Sequence, residues 1–277
     1  MPFPLNRDLE FLARQALTIR RDVVTMLGAA GSGHTGGSLS LADLLAVLYF
    51  AELRHDPAEP RLPDRDRFVL SKGHGAPALY SALARTGYFS PELLPTLRKL
   101  GSILQGHPDM NKTPGVEMST GSLGQGLSVA CGMAAAARDE SGRAAYRVYA
   151  LLGDGELDEG QVWEAAMSAA HYRLSNLCAL VDRNGLQIDG CVQDVMNIEP
   201  LADKWRAFNW NTLVCDGHDY AQILSALDAA RAETNRPTVI LAATVKGKGV
   251  SFTENQVCWH GVAPNQEQVC QMLDELG

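Results

Sequence analysis

Two short turns in the middle of the chain carry side chains that could bind a diphosphate and its metal ion. Gly153-Asp154-Gly155 follows the apolar run 148–152, and Asn184 follows a second apolar run, 177–181. A carboxylate and an amide oxygen suit Mg²⁺, which is usually held by one or two protein oxygens together with phosphates and water. The glycines let the backbone approach a phosphate closely, and a helix that begins next would direct free N–H groups at the anion.

The spacing of the two turns predicts the elements that bring them together. Asn184 follows Asp154 by 184 − 154 = 30 residues, about the length of one strand-helix-strand crossover. Parallel strands joined by a crossover lie side by side with their carboxyl ends at one edge, so we expect both side-chain oxygens to approach one point. From spacing alone, an ordinary pair of turns with acidic residues facing water stays open as the alternative.

Four histidines lie in loops beside predicted helices and strands. They are His34 in the glycine-rich loop 28–37, His74 after the predicted strand 68–70, His107 in the loop 105–109, and His260 in the segment 252–264. A histidine can donate and accept protons near neutrality because its unperturbed pKa is about 6.5. A single loop histidine is more often structural or solvent-facing, and that alternative stays open on residue type alone.

Five apolar runs of strand length alternate with segments of helical periodicity, and they lie at 68–70, 148–152, 177–181, 210–215 and 238–245. This pattern predicts an α/β fold with a single doubly wound parallel sheet and helices on both faces, forming one domain over 1–277. Further helices are expected from Ser40, with Asp43 in a capping box, from Ser90 to about Leu100, and over 220–232. Lys246-Gly247-Lys248-Gly249 after the last strand is a candidate phosphate cradle.

Two nucleotide motifs are excluded by their order. The chain lacks G-x-x-x-x-G-K-[ST], and Asp158 stands where a dinucleotide fingerprint after Gly153-x-Gly155 needs its third glycine.

Composition excludes several classes of partner. The formal net charge of −8 and the lack of a Lys and Arg cluster argue against nucleic acid. Residues 1–14 contain no apolar leader core, and no apolar run approaches the roughly 20 residues that span a bilayer, so we expect a cytoplasmic protein without a membrane partner. The six cysteines form no C-x-x-C pair, which favours buried reduced thiols over a zinc site or disulfides.

The same motifs resemble those of the transketolase family. Gly153-Asp154-Gly155 with Asn184 resembles the thiamine diphosphate motif, and the run 153–166 is similar to transketolases that are split into two chains. Gly31-Ser32-Gly33-His34 resembles the family's Gly-Ser-Gly-His-Pro-Gly, with Thr35 in place of the proline. The resemblance covers nearly all of this chain but only the first half of a full transketolase, and it implies the diphosphate-binding (PP-type) fold.

The resemblance also implies roles for individual residues. The metal, Mg²⁺ with Ca²⁺ or Mn²⁺ as alternatives, would be bound by Asp154, Asn184 and the backbone carbonyl of Leu186. The residues implied to bind thiamine diphosphate are His74, Gly121, Ser122, Leu123, Gly153, Asp154, Gly155, Glu156, Asn184 and His260. Those implied in catalysis are His34 and His260 for proton transfer at the sugar, His107 for holding a donor hydroxyl, and Glu159 for bridging two active sites across a dimer.

The activity implied is transfer of a two-carbon ketol unit from a ketose phosphate to an aldose phosphate in carbohydrate metabolism. The pyrimidine-binding and C-terminal domains of the family are absent here, so the resemblance implies a heteromer, an α2β2 assembly with a C-terminal transketolase subunit, in which activity requires both chains. Three alternatives stay open: a deoxyxylulose-phosphate-synthase-like component, a 2-oxoacid-dehydrogenase-like component, and a non-catalytic cofactor-binding subunit.

Overall fold

The computed structural model describes residues 3–277 and builds them around one parallel sheet of five strands. The strands are β1 (Arg67–Leu70), β2 (Val148–Gly153), β3 (Leu177–Arg183), β4 (Asn211–Asp216) and β5 (Thr238–Ala243). Their order across the sheet is β1-β2-β3-β5-β4, with every neighbouring pair parallel. The predicted α/β sheet is confirmed. Met1 and Pro2, which begin the predicted domain and the segment searched for a leader, lie outside the described residues.

Helices cover both faces of this sheet. They are α1 (Leu9–Ala30), α2 (Thr35–Ser40), α3 (Ala42–Val47), α4 (Ala76–Thr86), α5 (Gln125–Ala136), α6 (Gly160–His171), α7 (Val192–Val195), α8 (Leu201–Ala207), α9 (Tyr220–Ala232) and α10 (Gln266–Glu275). Short 3₁₀ turns occupy Gly73–Gly75, Pro91–Thr96, Gly155–Asp158 and Val257–Trp259, and a π-helical turn occupies Leu48–Glu52.

Successive side chains of the central strands point to opposite faces of the sheet, so the interior is divided into two cores. Tyr149 and Leu151 of β2 pack into one core with α1, α3, α4 and α9, whereas Val148 and Ala150 pack into the other with α5, α6 and α8. Because both faces are covered, the strands are almost uninterrupted apolar runs, which is why their positions were predictable.

The helix predicted from Ser90 to about Leu100 is wrong in type and length. Ser90 does cap its start, accepting a hydrogen bond from the amide of Glu92, but the segment is a 3₁₀ turn that ends at Thr96. Pro95 lies inside it, and a proline has no N–H for an α-helical bond and clashes with the preceding turn.

The helix start predicted at Ser40 is also wrong. Ser40 is the last residue of α2, and its hydroxyl donates to Asp182 at 2.6 Å instead of capping a helix. The glycine-rich loop is already helical from Thr35, where a Cβ added to Gly36 would lie 2.9 Å from Cγ of Lys246. Close packing against a distant segment therefore overrides the low helix propensity of glycine.

Three of the six cysteines contradict the prediction of buried thiols. Cys131, Cys178 and Cys215 are buried, while Cys191, Cys258 and Cys270 are exposed in loops and on α10. All six are free thiols. Within residues 3–277, no helix is both long enough and apolar enough to cross a membrane.

Candidate active site

The carboxyl ends of four strands surround one cavity. Turns after β1, β2, β3 and β5 supply most of its wall, and the glycine segment before α5 supplies another part. Its lining residues are Gly37, Lys72, His74, Leu123, Gly153, Asp154, Gly155, Glu156, Asn184, Leu186, Gln187, Ile188, Lys246 and His260. The cavity is therefore at the edge where parallel strands of this topology bind ligands.

The three predicted metal ligands all line this cavity and are linked by hydrogen bonds. Oδ1 of Asp154 accepts the Gly155 amide at 2.8 Å, and Oδ2 accepts the Gly185 amide at 2.5 Å. Oδ1 of Asn184 accepts the amide of Leu186 at 3.2 Å. The structure thus brings Asp154, Asn184 and Leu186 together, while their role as metal ligands stays a prediction.

Asp154 is a buried carboxylate without an ion-pair partner among the described Lys, Arg and His side chains. It is 2 % exposed, and no ion pair joins it to a Lys, Arg or His among the described residues. Burial raises its pKa to about 6, and the nearby Asp182 carboxylate adds to this effect. A divalent cation would remove the cost of this charge, so the donor set fits a metal ion.

A metal at this cavity would need backbone, amide or ligand oxygens beside its carboxylate. Within residues 3–277, no cluster of three or more His, Cys, Asp or Glu side chains could hold a metal ion. One carboxylate, one amide and one carbonyl oxygen are enough for Mg²⁺ when phosphate and water complete its coordination.

The four predicted histidines form a cluster, of which His74 and His260 line the cavity and His34 and His107 do not. The ring centre of His34 lies 5.2 Å from that of His74, 5.7 Å from that of His260 and 6.1 Å from that of His107. His74 and His260 are 5.3 Å apart. Four loops that are far apart in the sequence therefore place their imidazoles around one point.

All four imidazoles are held neutral. Burial lowers the pKa of His34 to about 4, with help from Arg98, and burial with the Lys246 charge lowers that of His260 to about 3. The pKa values of His74 and His107 are also lowered, mainly by burial. A neutral imidazole offers one donor and one acceptor, which suits exchange of protons with hydroxyl groups.

One histidine atom has no partner at all. Nδ1 of His34 is buried and makes no hydrogen bond with any residue from 3 to 277. A buried polar atom without a partner costs free energy, so a ligand group that pairs with it is favoured.

Two buried lysines are part of the site and were not among the predicted site residues. Nζ of Lys72 lies 2.6 Å from Asp182, a fully buried ion pair. Lys246 is 1 % exposed, and its Nζ contacts Nδ1 of His260 at 2.7 Å and the carbonyl of Leu186 at 3.3 Å. Burial and the charge of Lys72 lower the pKa of Lys246 to about 8.

Signals for these lysines were present in the sequence. Lys246 begins the turn predicted as a phosphate cradle, and Lys72 lies two residues before His74. Since Lys246 makes no ion pair with a carboxylate among the described residues, its charge is available to an anion. The cavity is therefore lined by an acidic group, Asp154, and a basic group, Lys246. We call Lys246 its anion-seeking side.

Glu156 lines the cavity, but its carboxylate is occupied by protein donors. It accepts the hydroxyl of Ser71, the amide of Gly124 at 3.0 Å and the amide of Gly153 at 3.1 Å. One side chain thus ties the ends of β1 and β2 to the glycine segment. Its predicted contact with the cofactor stays a prediction.

The glycine segment itself packs closely against the histidine cluster. Gly121 has φ +144°, and a Cβ there would lie 2.9 Å from Cδ2 of His107. Leu123 lines the cavity, whereas Ser122 is exposed and is not among the lining residues. Of the three predicted residues in this segment, Leu123 is the one placed on the cavity wall.

The helix expected directly after Asp154 is displaced by a 3₁₀ turn. Gly155–Asp158 forms that turn, and α6 begins only at Gly160, with Glu159 as the residue before it. Glu159 is exposed and packs its Cβ against Gly124. Its predicted role in bridging two active sites stays a prediction.

Comparisons with a family model and with known proteins all point to the transketolase family. The family model "Transketolase, thiamine diphosphate binding domain" matches residues 13–277. The chain is 49 % identical to the 6-deoxy-6-sulfo-D-fructose transketolase subunit SqwG of Clostridium sp. (strain MSTE9), covering 96 % of each chain. It is 41 % identical to one of the apulose-4-phosphate transketolase subunits of Actinobacillus succinogenes, covering 99 % of this chain and 98 % of that protein.

The fold matches solved transketolases over a shorter part of their length. A crystal structure of transketolase from Campylobacter jejuni superposes with a TM-score of 0.91 at 36 % identity. The match covers 98 % of this chain and 43 % of that one. The chain therefore spans less than half the length of that transketolase.

Proposed function

Since the chain belongs to the transketolase family, we propose that it is the diphosphate-binding subunit of a two-chain transketolase. The observation that carries this proposal is the polarity of the cavity: the buried Asp154 carboxylate, which has no ion pair to a described side chain, and the buried Lys246 ammonium both line it. A divalent cation joined to a diphosphate has the complementary charges. The subunit would transfer a two-carbon ketol unit from a ketose donor to an aldose acceptor.

The residues of this chain would bind the coenzyme and its metal. Asp154, Asn184 and the carbonyl of Leu186 would hold Mg²⁺, and Lys246 with His74 would face the diphosphate. Bound thiamine diphosphate supplies the carbanion chemistry that breaks and forms a carbon-carbon bond next to a carbonyl. The cluster of imidazoles would then handle protons on the sugar.

Proton handling fits the neutral state of the histidines. His34 has a lowered pKa, so at neutral pH it can accept a proton from a sugar hydroxyl. Nδ1 of His260 accepts from the Lys246 ammonium, so its Nε2 carries the proton and would donate to a sugar oxygen. The unpaired Nδ1 of His34 offers a hydrogen-bonding position. His107 would hold a donor hydroxyl at the exposed edge of the cluster.

A second chain would complete the active site. The two relatives named as transketolase subunits are matched over 96 % and 98 % of their length, so a subunit of this size has precedent in the family. The partner would carry the pyrimidine-binding domain and the remaining sugar contacts, with exposed Glu159 near the shared face.

Reconstitution tests this proposal. The chain is purified alone and together with candidate C-terminal transketolase subunits, and ketol transfer is measured with Mg²⁺ and thiamine diphosphate. Donors include 6-deoxy-6-sulfo-D-fructose, apulose 4-phosphate, fructose 6-phosphate and pyruvate. We expect transfer from a ketose only when both chains are present. Robust transfer by the single chain, or turnover of pyruvate in place of the ketoses, would overturn the proposal.

A further inference from the structure

A cluster of side chains outside the cavity lining, built around the buried Asp43, holds one histidine in a defined tautomer. Asp43 of α3 is 2 % exposed and contacts the guanidinium of Arg20, which comes from α1. Its Oδ1 accepts the hydroxyl of Tyr220 at 2.5 Å, and its Oδ2 lies 2.6 Å from Nδ1 of His218. Asp43 was predicted only as part of a capping box, and the other three side chains had no predicted role.

The second nitrogen of His218 defines its protonation. Nε2 accepts the backbone N–H of Val245 at 2.8 Å. A nitrogen that accepts an N–H carries no proton, so the proton is on Nδ1 and is donated to Asp43. Asp43 therefore selects the neutral tautomer that can hold the Val245 amide.

The Val245 amide lies immediately before Lys246. On the other side of that lysine, the amide of Gly247 donates to the carbonyl of Gly36 at 3.0 Å, and the hydroxyl of Thr253 donates to the carbonyl of Gly247 at 2.8 Å. Contacts on both sides thus hold the turn that carries Lys246, and His218 provides the one at Val245.

We propose that His218 is a positioning residue for Lys246, acting through the Val245 amide. With that amide held, the Lys246 ammonium lies between His260 and the Leu186 carbonyl, at the anion-seeking side of the cavity. A turn that is free at Val245 lets the lysine sample other positions. Coenzyme affinity then falls because ordering the side chain is added to the cost of binding. For its binding readout alone, this inference rests on the proposed function.

Three variants test the inference. His218→Leu removes both nitrogens, and His218→Gln keeps an acceptor, the amide oxygen, near the position of Nε2. His55→Leu is the control, because both nitrogens of His55 also have hydrogen-bond partners, the Tyr49 carbonyl and the Tyr88 hydroxyl, in another part of the fold. Hydrogen exchange at the Val245 amide and binding of thiamine diphosphate with Mg²⁺ are measured for each.

We expect exchange at Val245 to accelerate at least tenfold in His218→Leu and coenzyme affinity to fall about tenfold, a change of about 1.4 kcal/mol. His218→Gln should restore most of both effects, and His55→Leu should change neither beyond its effect on overall stability. Nitrogen-15 NMR of the wild-type chain should show His218 protonated on Nδ1 alone, a readout that does not depend on any variant folding.

Several results would overturn the inference. These are a proton on Nε2 of His218, unchanged Val245 exchange in His218→Leu, or a His218→Gln variant that behaves like His218→Leu. Failure of the wild-type chain to bind thiamine diphosphate would overturn the proposed function instead. In that case the exchange and NMR results would still decide the role of His218.

Discussion

Asp43 and Asp154 are equally buried carboxylates with opposite acidities. Each side chain is 2 % exposed. Burial alone raises the pKa of both, but His218 and Arg20 outweigh burial at Asp43 and lower its pKa to about 2. At Asp154, burial and the Asp182 charge raise the pKa to about 6. Two backbone amides and the Lys72 charge act in the opposite direction but do not outweigh them.

The two acidities differ because protein side chains neutralise one carboxylate and not the other. Asp43 receives a guanidinium, an imidazole and a phenol, so its charge is satisfied by the protein. Asp154 accepts two backbone amides and forms no ion pair with a cationic side chain in the part of the chain that the structure describes, so its charge is not neutralised there. A buried charge without an ionic partner is costly, so under the proposed function Asp154 is where a cationic ligand would bind.

Removing the charge of Asp43 should produce the largest effect. Asp43→Asn leaves the buried Arg20 guanidinium without its carboxylate, which should lower the free energy of unfolding by about 3–5 kcal/mol. Chemical denaturation of the coenzyme-free chain measures this. Asp228→Asn is the control, because Asp228 pairs with Arg7 on the surface and such pairs contribute about 1 kcal/mol or less. Equal losses in the two variants would contradict the comparison.

Removing the charge of Asp154 should affect binding and not the coenzyme-free fold. We expect Asp154→Asn to weaken Mg²⁺-dependent binding of thiamine diphosphate about a thousandfold, or about 4 kcal/mol, since the loss of a direct metal ligand exceeds the 10–100-fold effect of outer contacts. The free energy of unfolding at pH 7 should not fall.

The matched control for that variant is Asp158→Asn. Asp158 is an exposed carboxylate in the same turn, bonded to the side-chain amide of Gln187 at 3.1 Å, and its loss should leave coenzyme affinity nearly unchanged. If Asp154→Asn destabilises the coenzyme-free chain as Asp43→Asn does, then Asp154 is a structural residue.

The dependence of stability on pH should have opposite signs at the two residues. The pKa of Asp154 rises from 3.8 to about 6 on folding, so its contribution to stability falls as pH rises between these values. The free energy of unfolding of wild type relative to Asp154→Asn should drop by about 2 kcal/mol from pH 4 to pH 7. Asp43, whose pKa is lowered from 3.8 to about 2, loses its contribution as pH falls through that range.

Saturating Mg²⁺ and thiamine diphosphate should abolish the drop assigned to Asp154, because a bound cation favours the charged carboxylate. Denaturation at a series of pH values with and without the coenzyme measures both slopes. A difference between wild type and Asp154→Asn that does not vary with pH would show that the carboxylate is already satisfied.

The smallest effect is expected at Lys246. Lys246→Met removes one positive charge facing the diphosphate and should weaken coenzyme binding about tenfold, or about 1.4 kcal/mol. Lys248→Met is the control, since Lys248 lies in the same turn but its ammonium lies 3.5 Å from Glu254. Titration calorimetry compares the two, and equal affinities would remove Lys246 from the site.

Local patterns explain which parts of the molecule could be predicted. The helix expected over 220–232 is observed as α9, Tyr220–Ala232, because its apolar periodicity and the Asp219 cap are both local signals. The turns at Asp154 and Asn184 were predictable because each ends a buried strand. Helix α2 was missed because packing of Gly36 against Lys246, far along the chain, decides its conformation.

The amino-acid sequence by itself determined the sheet, the order of its strands along the chain, and the residue types delivered to its carboxyl edge. It did not determine which buried carboxylate is satisfied, because His218 lies 175 residues from the Asp43 that it contacts. A buried charge depends on the distances to its partners, and those distances exist only once the chain has folded. Tertiary structure therefore decided that Asp43 is paired within the protein, whereas Asp154 has no ion pair to a described side chain and lines the same cavity as Lys246.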